Sequence, residues 1–249
     1  MSELVLTVGT IGVTVILLLV LTWLVRRGRL VMLRPLPAYT QLKDQAGLAV
    51  ESGSQLHLTL GRAGLTSTAT PTSVAALTVL DAVAKDGCAN GTPPLATVGE
   101  GTLLPAAQAS LLKAYNEAQY TSGFEPGAAQ FIAADTDPFT YAGGVTSVIH
   151  QDNVSNSVAV GRFGSELALI MAAGERQQMN QIVGTDDPLA LALGTAVSPN
   201  VLIGEELLAS GAYLEGKPSQ LASVQTQDIL RILIALTLLG MALYQLFTA

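Results

Sequence analysis

The sequence predicts an α/β fold: a Rossmann-like, doubly wound, mostly parallel sheet of about six strands, flanked by N- and C-terminal transmembrane helices. Three observations favour it. Short apolar segments alternate with helical patterns six times in the middle of the chain. Two of these segments, 158–160 and 201–203, are apolar throughout, as strands buried on both faces are. Two runs without charge, 4–25 and 232–247, bracket this middle region.

The composition is unlike that of an ordinary soluble enzyme. Of the 249 residues, 49% are hydrophobic and 12% are charged, with a mean hydropathy of +0.46, whereas a typical soluble domain is roughly a quarter charged. The net charge of −7 argues against a nucleic-acid partner, which needs a basic surface. The single cysteine, Cys88, excludes a disulfide framework and a CxxC metal site.

Residues 1–30 form the predicted N-terminal anchor with its arginine cluster. At about 1.5 Å per residue, a helix over the uncharged run 4–25 spans roughly 30 Å of hydrocarbon. A cleaved signal peptide is the alternative, but it carries positive charge before its apolar segment. Here Glu3 precedes the run, and Arg26 and Arg27 follow it, so the segment is predicted to remain uncleaved.

Residues 228–249 form the predicted C-terminal transmembrane helix. The run 232–247 becomes long enough to span if the helix begins near Asp228 and Arg231 extends to the headgroups. A buried C-terminal helix is the alternative. Four arginines follow the first apolar run: Arg26, Arg27, Arg29 and Arg34. By the positive-inside rule, the central domain over 31–227 is then cytoplasmic and both termini lie outside.

The elements of this central domain are read from apolar segments and proline positions. Residues 31–55 are predicted as a linker and a first packed segment. Strands are predicted at 56–60, 95–98, 131–134, 157–160, 181–183 and 201–203. The helices that follow begin near Pro71, Pro105, Pro138, Ser165, Pro188 and Glu205. Proline is well tolerated in the first turn of a helix and therefore marks four of these starts.

Charged residues gather where the predicted strands end, which is where parallel sheets bind ligands. They are Arg62, Glu100, Asp135, Asp137, Arg162, Asp186, Asp187, Glu205 and Glu206. The candidate ligand-binding residues are Arg62, Glu100 and Arg162, because arginines can clamp a phosphate or carboxylate. The candidate metal ligands are Asp135 and Asp186, since carboxylate oxygens suit Mg²⁺ or Ca²⁺.

A structural role is the alternative for five of these acids. Asp137 and Asp187 each precede a proline that starts a helix, which predicts that they cap the helix N-terminus. Glu100, Glu205 and Glu206 lie in or near first turns, where the helix dipole favours negative charge.

Catalytic motifs are missing from the sequence. Residues 99–104 begin as a dinucleotide fingerprint but end in Leu104 where the third glycine belongs. His57 and His150 have no serine or cysteine partner by motif, and a serine without a base is a weak nucleophile. No catalytic residue and no cofactor are therefore predicted, and a non-enzymatic role is favoured over an enzymatic one.

The charge distribution favours assembly. Residues 35–230 hold only 18 acidic and 7 basic residues. A surface with so few charged residues is typical of one that is covered by protein or membrane. Membrane anchors raise the local concentration of the copies that they hold. The expected partners are the lipid bilayer, further copies of the chain and a membrane complex, but not nucleic acid.

One resemblance covers nearly the whole chain. The segments Arg26-Arg27-Gly28-Arg29 and Leu33-Arg34-Pro35-Leu36-Pro37, followed by an α/β domain and a terminal span, resemble an uncharacterised prokaryotic family of membrane-anchored α/β proteins. That family is known only as a domain of unknown function. The resemblance implies a prokaryotic plasma (inner) membrane, and it carries over no activity and no functional residue.

Three functions fit these observations. The leading hypothesis is a membrane-anchored structural scaffold whose cytoplasmic domain self-associates or docks a partner complex. The alternative is a ligand-binding protein or divalent-metal-assisted enzyme that uses the acidic edge of the sheet. The third is a transport or channel subunit, which would have to oligomerise and has no ionisable residue in the middle of either span to mark a pathway.

Overall fold

The computed structural model describes residues 2–132, 137–151 and 154–248, which form two compact units. The central unit is Pro35–Leu214, and the terminal unit combines Met1–Arg34 with Glu215–Ala249. In chain order the elements are α1 (Ser2–Arg26), α2 (Pro37–Ser52), β1 (Gln55–Gly61), α3 (Thr70–Ala89), β2 (Leu95–Val98), α4 (Leu103–Glu117), β3 (Ala129–Phe131), α5 (Pro138–Ile149), β4 (Val154–Arg162), α6 (Leu167–Arg176), β5 (Asn180–Thr185), α7 (Pro188–Val197), β6 (Val201–Ile203), α8 (Glu205–Leu208), α9 (Ser210–Leu214) and α10 (Pro218–Thr248).

The six strands form one sheet in the order β3-β2-β1-β4-β5-β6, and every neighbouring pair is parallel. The predicted α/β class and the number of strands are therefore confirmed. β2 and β6 have the predicted bounds, while β1, β4 and β5 each extend beyond them. In the predicted linker region, the packed segment is helix α2.

The third strand is displaced from its predicted position at 131–134. It runs over Ala129–Phe131, because its parallel pairing with β2 aligns Ala129 with Ala96 and Phe131 with Val98. Two short 3-10 turns, Thr121–Gly123 and Pro126–Ala128, precede it. Residues 133 and 134 lie outside the described residues.

The sheet is covered on both faces, and alternate side chains of β1 point to opposite faces. Leu56, Leu58 and Leu60 enter a core built with α2, α3, α4 and α8. The opposite core contains Tyr141 of α5 and the side chains of α6 and α7. Helices on both faces are what an all-parallel sheet requires.

The central strands β1 and β4 approach each other very closely where they end. Gly61 has a φ of +77° and Gly161 a φ of +142°, a range that side chains disfavour. A Cβ atom on Gly61 would lie 2.5 Å from the Arg162 carbonyl oxygen, and one on Gly161 would collide with the Leu60 carbonyl. In this geometry the Arg62 N–H donates to the Arg162 carbonyl at 3.1 Å.

The two ends of the central unit are joined to each other. The rings of Tyr39 in α2 and Tyr213 in α9 stack with centroids 4.7 Å apart and an interplanar angle of 11°. The Tyr39 hydroxyl donates to the Glu206 carbonyl at 2.7 Å, and the Lys43 ammonium donates to the Tyr213 carbonyl at 3.4 Å. The chain therefore enters and leaves this unit at neighbouring points.

The terminal unit consists of two long apolar helices that contact each other, α1 and α10. Mean hydropathy reaches 2.5 in Thr7–Arg26 and 2.0 in Pro218–Leu246, so both are long and apolar enough to cross a membrane. The Arg27 guanidinium lies 3.8 Å from the ring centroid of Trp23 at the end of α1. Every residue from 231 to 246 is exposed.

The glycine contact between β1 and β4 predicts a large stability loss in the Gly161→Ala variant. Strain from the positive φ and collision with a backbone carbonyl together should lower the free energy of unfolding by about 3 kcal/mol. Gly143→Ala is the matched control, because a Cβ there meets nothing within 4 Å. In a helix, that exchange should raise stability by about 0.5–1 kcal/mol. Urea unfolding of the full chain in detergent measures both; equal midpoints would contradict the role given to Gly161.

Candidate functional site at the carboxyl edge of the sheet

The loops after β1 and β4 meet at the centre of the carboxyl edge, where Arg62 and Glu166 form an ion pair. The Arg62 Nε donates to Glu166 Oε1 at 2.7 Å, and the Gly164 N–H donates to the same oxygen at 2.8 Å. The Glu166 side chain is fully buried, while that of Arg62 is 21% exposed. The candidate ligand-binding residue Arg62 is therefore bound to an acid that the sequence reasoning had not singled out.

The second candidate arginine, Arg162, is the last residue of β4 and faces Asp186. Its Nη1 lies 3.6 Å from Asp186 Oδ2, and the buried Thr72 of α3 donates its hydroxyl to the same oxygen at 2.8 Å. Asp186, a candidate metal ligand, is therefore held by two elements of the fold. The other candidate metal ligand, Asp135, lies outside the described residues.

The third candidate ligand-binding residue, Glu100, organises the turn that leads into α4. Its Oε2 accepts hydrogen bonds from the Thr102 N–H at 2.8 Å and from the Thr102 hydroxyl. The Thr102 oxygen accepts in turn from the Leu65 N–H at 2.9 Å. Glu100 therefore links the loop after β2 to the loop after β1.

The predicted helix caps are confirmed. Asp137 caps α5 by accepting from the Phe139 N–H at 3.0 Å, and Asp187 caps α7 by accepting from the Leu189 N–H at 2.9 Å. Hydrogen bonds from the Thr140 hydroxyl and the Phe139 N–H lower the pKa of the Asp137 carboxyl. Glu205 and Glu206 lie in the first turn of α8, as predicted.

Metal-binding clusters are not formed in the described parts of the chain. Within residues 2–132, 137–151 and 154–248, no three histidine, cysteine or acidic side chains come together as a group that could hold a metal ion. Asp186, Glu100 and Glu166 each engage separate partners instead.

A buried polar row across the sheet was not predicted as a unit. His57 of β1 contacts the Ser157 hydroxyl through Nδ1 at 3.3 Å and the Thr97 hydroxyl through Nε2 at 3.0 Å. The next residue on that face, Thr59, shares a hydrogen bond between its hydroxyl and that of Tyr141. The period-two alternation of Leu56, His57 and Leu58 is the only local signal for it.

The chemistry of this row is that of neutral hydrogen-bonding groups. Complete burial lowers the pKa of His57 to about 3, and burial raises the pKa of Tyr141 to about 12. A general base works best with a pKa near the operating pH. His57 therefore joins three strands and is not suited to take protons from a substrate at neutral pH.

Comparison with known proteins identifies one family. The model of a family described as a domain of unknown function, DUF6754, matches residues 1–249. Neither the curated proteins nor the solved structures provide a significant match to this chain.

The neutral state of His57 predicts a dependence of stability on pH. The folded protein keeps His57 unprotonated, whereas the unfolded chain binds a proton below the ordinary pKa of 6.5. Stability should therefore fall as the pH drops from about 6.5 towards about 3. The His57→Gln variant should lose the part of this pH dependence that comes from the histidine and keep the part that comes from the carboxylates. Urea unfolding of both full-length proteins from pH 7.5 to pH 4 measures the difference; parallel curves would contradict it.

The ion pair predicts that Arg62 acts on stability. In the Arg62→Met variant the buried Glu166 carboxylate loses its counter-ion, which should cost about 2–4 kcal/mol of unfolding free energy, less than for a fully buried pair. Adding Glu166→Gln should recover most of the loss, because the uncompensated charge is removed. Thermal or urea unfolding of the original protein, the Arg62→Met variant and the double variant measures how strongly the two side chains depend on each other for stability. An unchanged midpoint in the Arg62→Met protein would leave Arg62 available for a ligand.

Proposed function

This chain belongs to the DUF6754 family, and we propose that it is a membrane-anchored structural protein, a scaffold whose central α/β domain self-associates or docks a partner complex. The observation that carries the proposal is the surface of α10. Every residue of this helix from 231 to 246 is exposed, and fifteen of these sixteen residues carry no charge. A helix that is apolar on all sides requires lipid or protein around it.

The arginines favour one topology for this anchor. Arg26, Arg27, Arg29 and Arg34 follow α1 closely, and such clusters remain on the cytoplasmic side of a plasma membrane. We place the central unit in the cytoplasm of a prokaryotic cell, with both termini outside. The Tyr39–Tyr213 stack suits this topology, because a domain inserted between two spans needs its ends to be close together.

The topology of the sheet favours a Rossmann-like, doubly wound fold, but it does not favour the dinucleotide binding for which that fold is known. Its strand order is the classic one for dinucleotide-binding domains, with the order reversing between β1 and β4. A fold does not by itself imply a function. At this reversal point Arg62 and Glu166 bind each other, which favours a structural use of the edge over catalysis.

Ligand or divalent-cation binding at the same edge is the second candidate function. It is favoured by Glu166 Oε2, a buried oxygen that has no hydrogen-bond partner among the described residues. This oxygen could accept a hydrogen bond from a ligand, or it could coordinate Mg²⁺ or Ca²⁺. Calorimetric titration of the full chain with Mg²⁺ and with Ca²⁺ tests the cation; the absence of heat with both would remove divalent-cation binding at this edge.

The scaffold proposal predicts an integral membrane protein that is not a monomer. The full chain should stay in the membrane fraction after an alkaline wash, and in mild detergent it should have the mass of an oligomer or carry a stoichiometric partner. Protease added outside sealed cells should leave the central unit intact, whereas inverted vesicles should expose it. A soluble protein, a central unit that is cleaved from outside, or a monomer at high concentration would each contradict the proposal.

A further inference from the structure

Helix α7 carries no charged residue and only two of its ten residues are buried, whereas five of the twelve residues of the equally uncharged α5 are buried. These two, Ala190 and Gly194, lie one turn apart and face the sheet. A Cβ atom on Gly194 would come within 2.9 Å of Val183 Cγ1 in β5. The small inner residues therefore let α7 lie close against the sheet, and its larger side chains are displaced to the flanks and the outside.

The outer face of α7 is apolar and uncovered. We define it by its exposed residues, which are Pro188, Leu189, Ala192, Thr195, Ala196 and Val197. Leu189 is 55% exposed and Val197 is 39% exposed. The Thr195 hydroxyl donates to the Ala192 carbonyl at 3.0 Å, so the polar group of this face is bonded within the helix.

Exposed apolar residues continue beyond the helix, as far as Ile203, whose N–H donates to the Glu206 carboxylate at 3.0 Å. Residues 188–204 contain no charged side chain, and this segment includes the edge strand β6, with which α7 is in contact. Ile203 at the end of β6 is 50% exposed, and Leu169 on the neighbouring helix α6 is 48% exposed. Apolar side chains on three adjacent elements point to a protein-binding surface.

We propose that the outer face of α7 binds the same face of a second copy of this chain. The inference rests on the proposed self-association and assigns the surface that performs it. Identical copies, each with a net charge of −7, repel one another, so a contact between them is favoured where both surfaces lack charge. Two-fold symmetry brings the same patch of each copy together.

The small residues of this face suit a helix-to-helix contact. Ala192 and Ala196 are four residues apart and therefore lie on one side of α7, where they let a second helix approach closely. A bilayer surface fits less well, because helices that lie on anionic lipid carry lysine or arginine on their polar side. α7 has neither residue, and Asp186 and Asp187 directly precede it.

The area of the face suits copies that share a membrane. A helix of ten residues is about 15 Å long and about 10 Å wide, so one face covers roughly 150 Å² in projection. A stable interface in free solution buries about 800 Å² on each partner. The α7 contact is therefore weak alone and becomes populated when anchors confine the copies and raise their effective concentration.

A cysteine placed at the centre of the outer face of α7 tests whether a second copy of the chain binds there. In native membranes, full-length protein with Ala192→Cys should form a disulfide-linked dimer on mild oxidation, because a symmetric contact brings the two Cα atoms near the 4.4–6.8 Å that a disulfide needs. Ala109→Cys is the control, an exposed alanine on α4, which covers the opposite face of the sheet. The native Cys88 is buried. Equal cross-linking at both positions, or none at 192, overturns the proposal.

Charge substitutions test the symmetry of the contact. In proteoliposomes, where the anchors confine the copies, Ala192→Glu and Ala192→Lys should each weaken self-association by at least tenfold, whereas Ala109→Glu should not. All melting temperatures should stay within a few degrees. Mixing the glutamate and lysine proteins should restore association, since opposite charges then meet across the two-fold axis. Loss without restoration means that the α7 faces of two copies do not meet each other, and this result overturns the inference.

The outcomes separate this inference from the proposed function. If the unmodified protein neither self-associates nor carries a partner, both fail. If it self-associates and the Ala192→Glu protein does so equally well, the scaffold proposal stands and only the α7 surface is wrong.

Discussion

The pairing of β1 with β4 is the contact on which the rest of the central unit depends. Strands β1, β2 and β3 succeed one another towards one edge of the sheet, and β4, β5 and β6 succeed one another towards the other. Among the strand pairings of the described residues, this one alone joins the two halves of the sheet, and two glycines let the backbones approach where it ends. The Arg62–Glu166 ion pair then links the loops that follow these strands.

Polar groups at the centre of this sheet hold strands and loops together. His57 connects to strands on both sides through hydroxyl groups, and its burial keeps the ring neutral. At the carboxyl edge, where such sheets usually bind ligands, Glu100 and Asp186 bind backbone or side chains of neighbouring loops and helices. Exposed apolar side chains, by contrast, are prominent among the described residues of α7 and of the terminal helices.

Features encoded by neighbouring residues could be predicted from the sequence. The caps Asp137 and Asp187 act within three residues of themselves, and the apolar terminal helices are set by local composition. Alternation of strands and helices was enough to predict a parallel sheet. Neither the order of the elements along the chain nor the net charge, however, reveals which side chains contact each other in the folded protein.

Features that depend on distant residues could not be predicted. Arg62 and Glu166 are 104 positions apart, so no spacing marks them as partners. The displacement of β3 arises because pairing with β2, and not local apolarity, selects which three residues join the sheet. The exposure of α7 is equally invisible in sequence, since a helix without charge usually indicates burial.

The stacked rings of Tyr39 and Tyr213 have an evolutionary consequence. A domain whose first and last segments adjoin can be inserted into a host protein, or exchanged for another of the same kind, without altering the spacing of the flanking segments. Residues 35–214 thus have the geometry of an insertable domain, whose exchange would leave the helix pair formed by α1 and α10 intact.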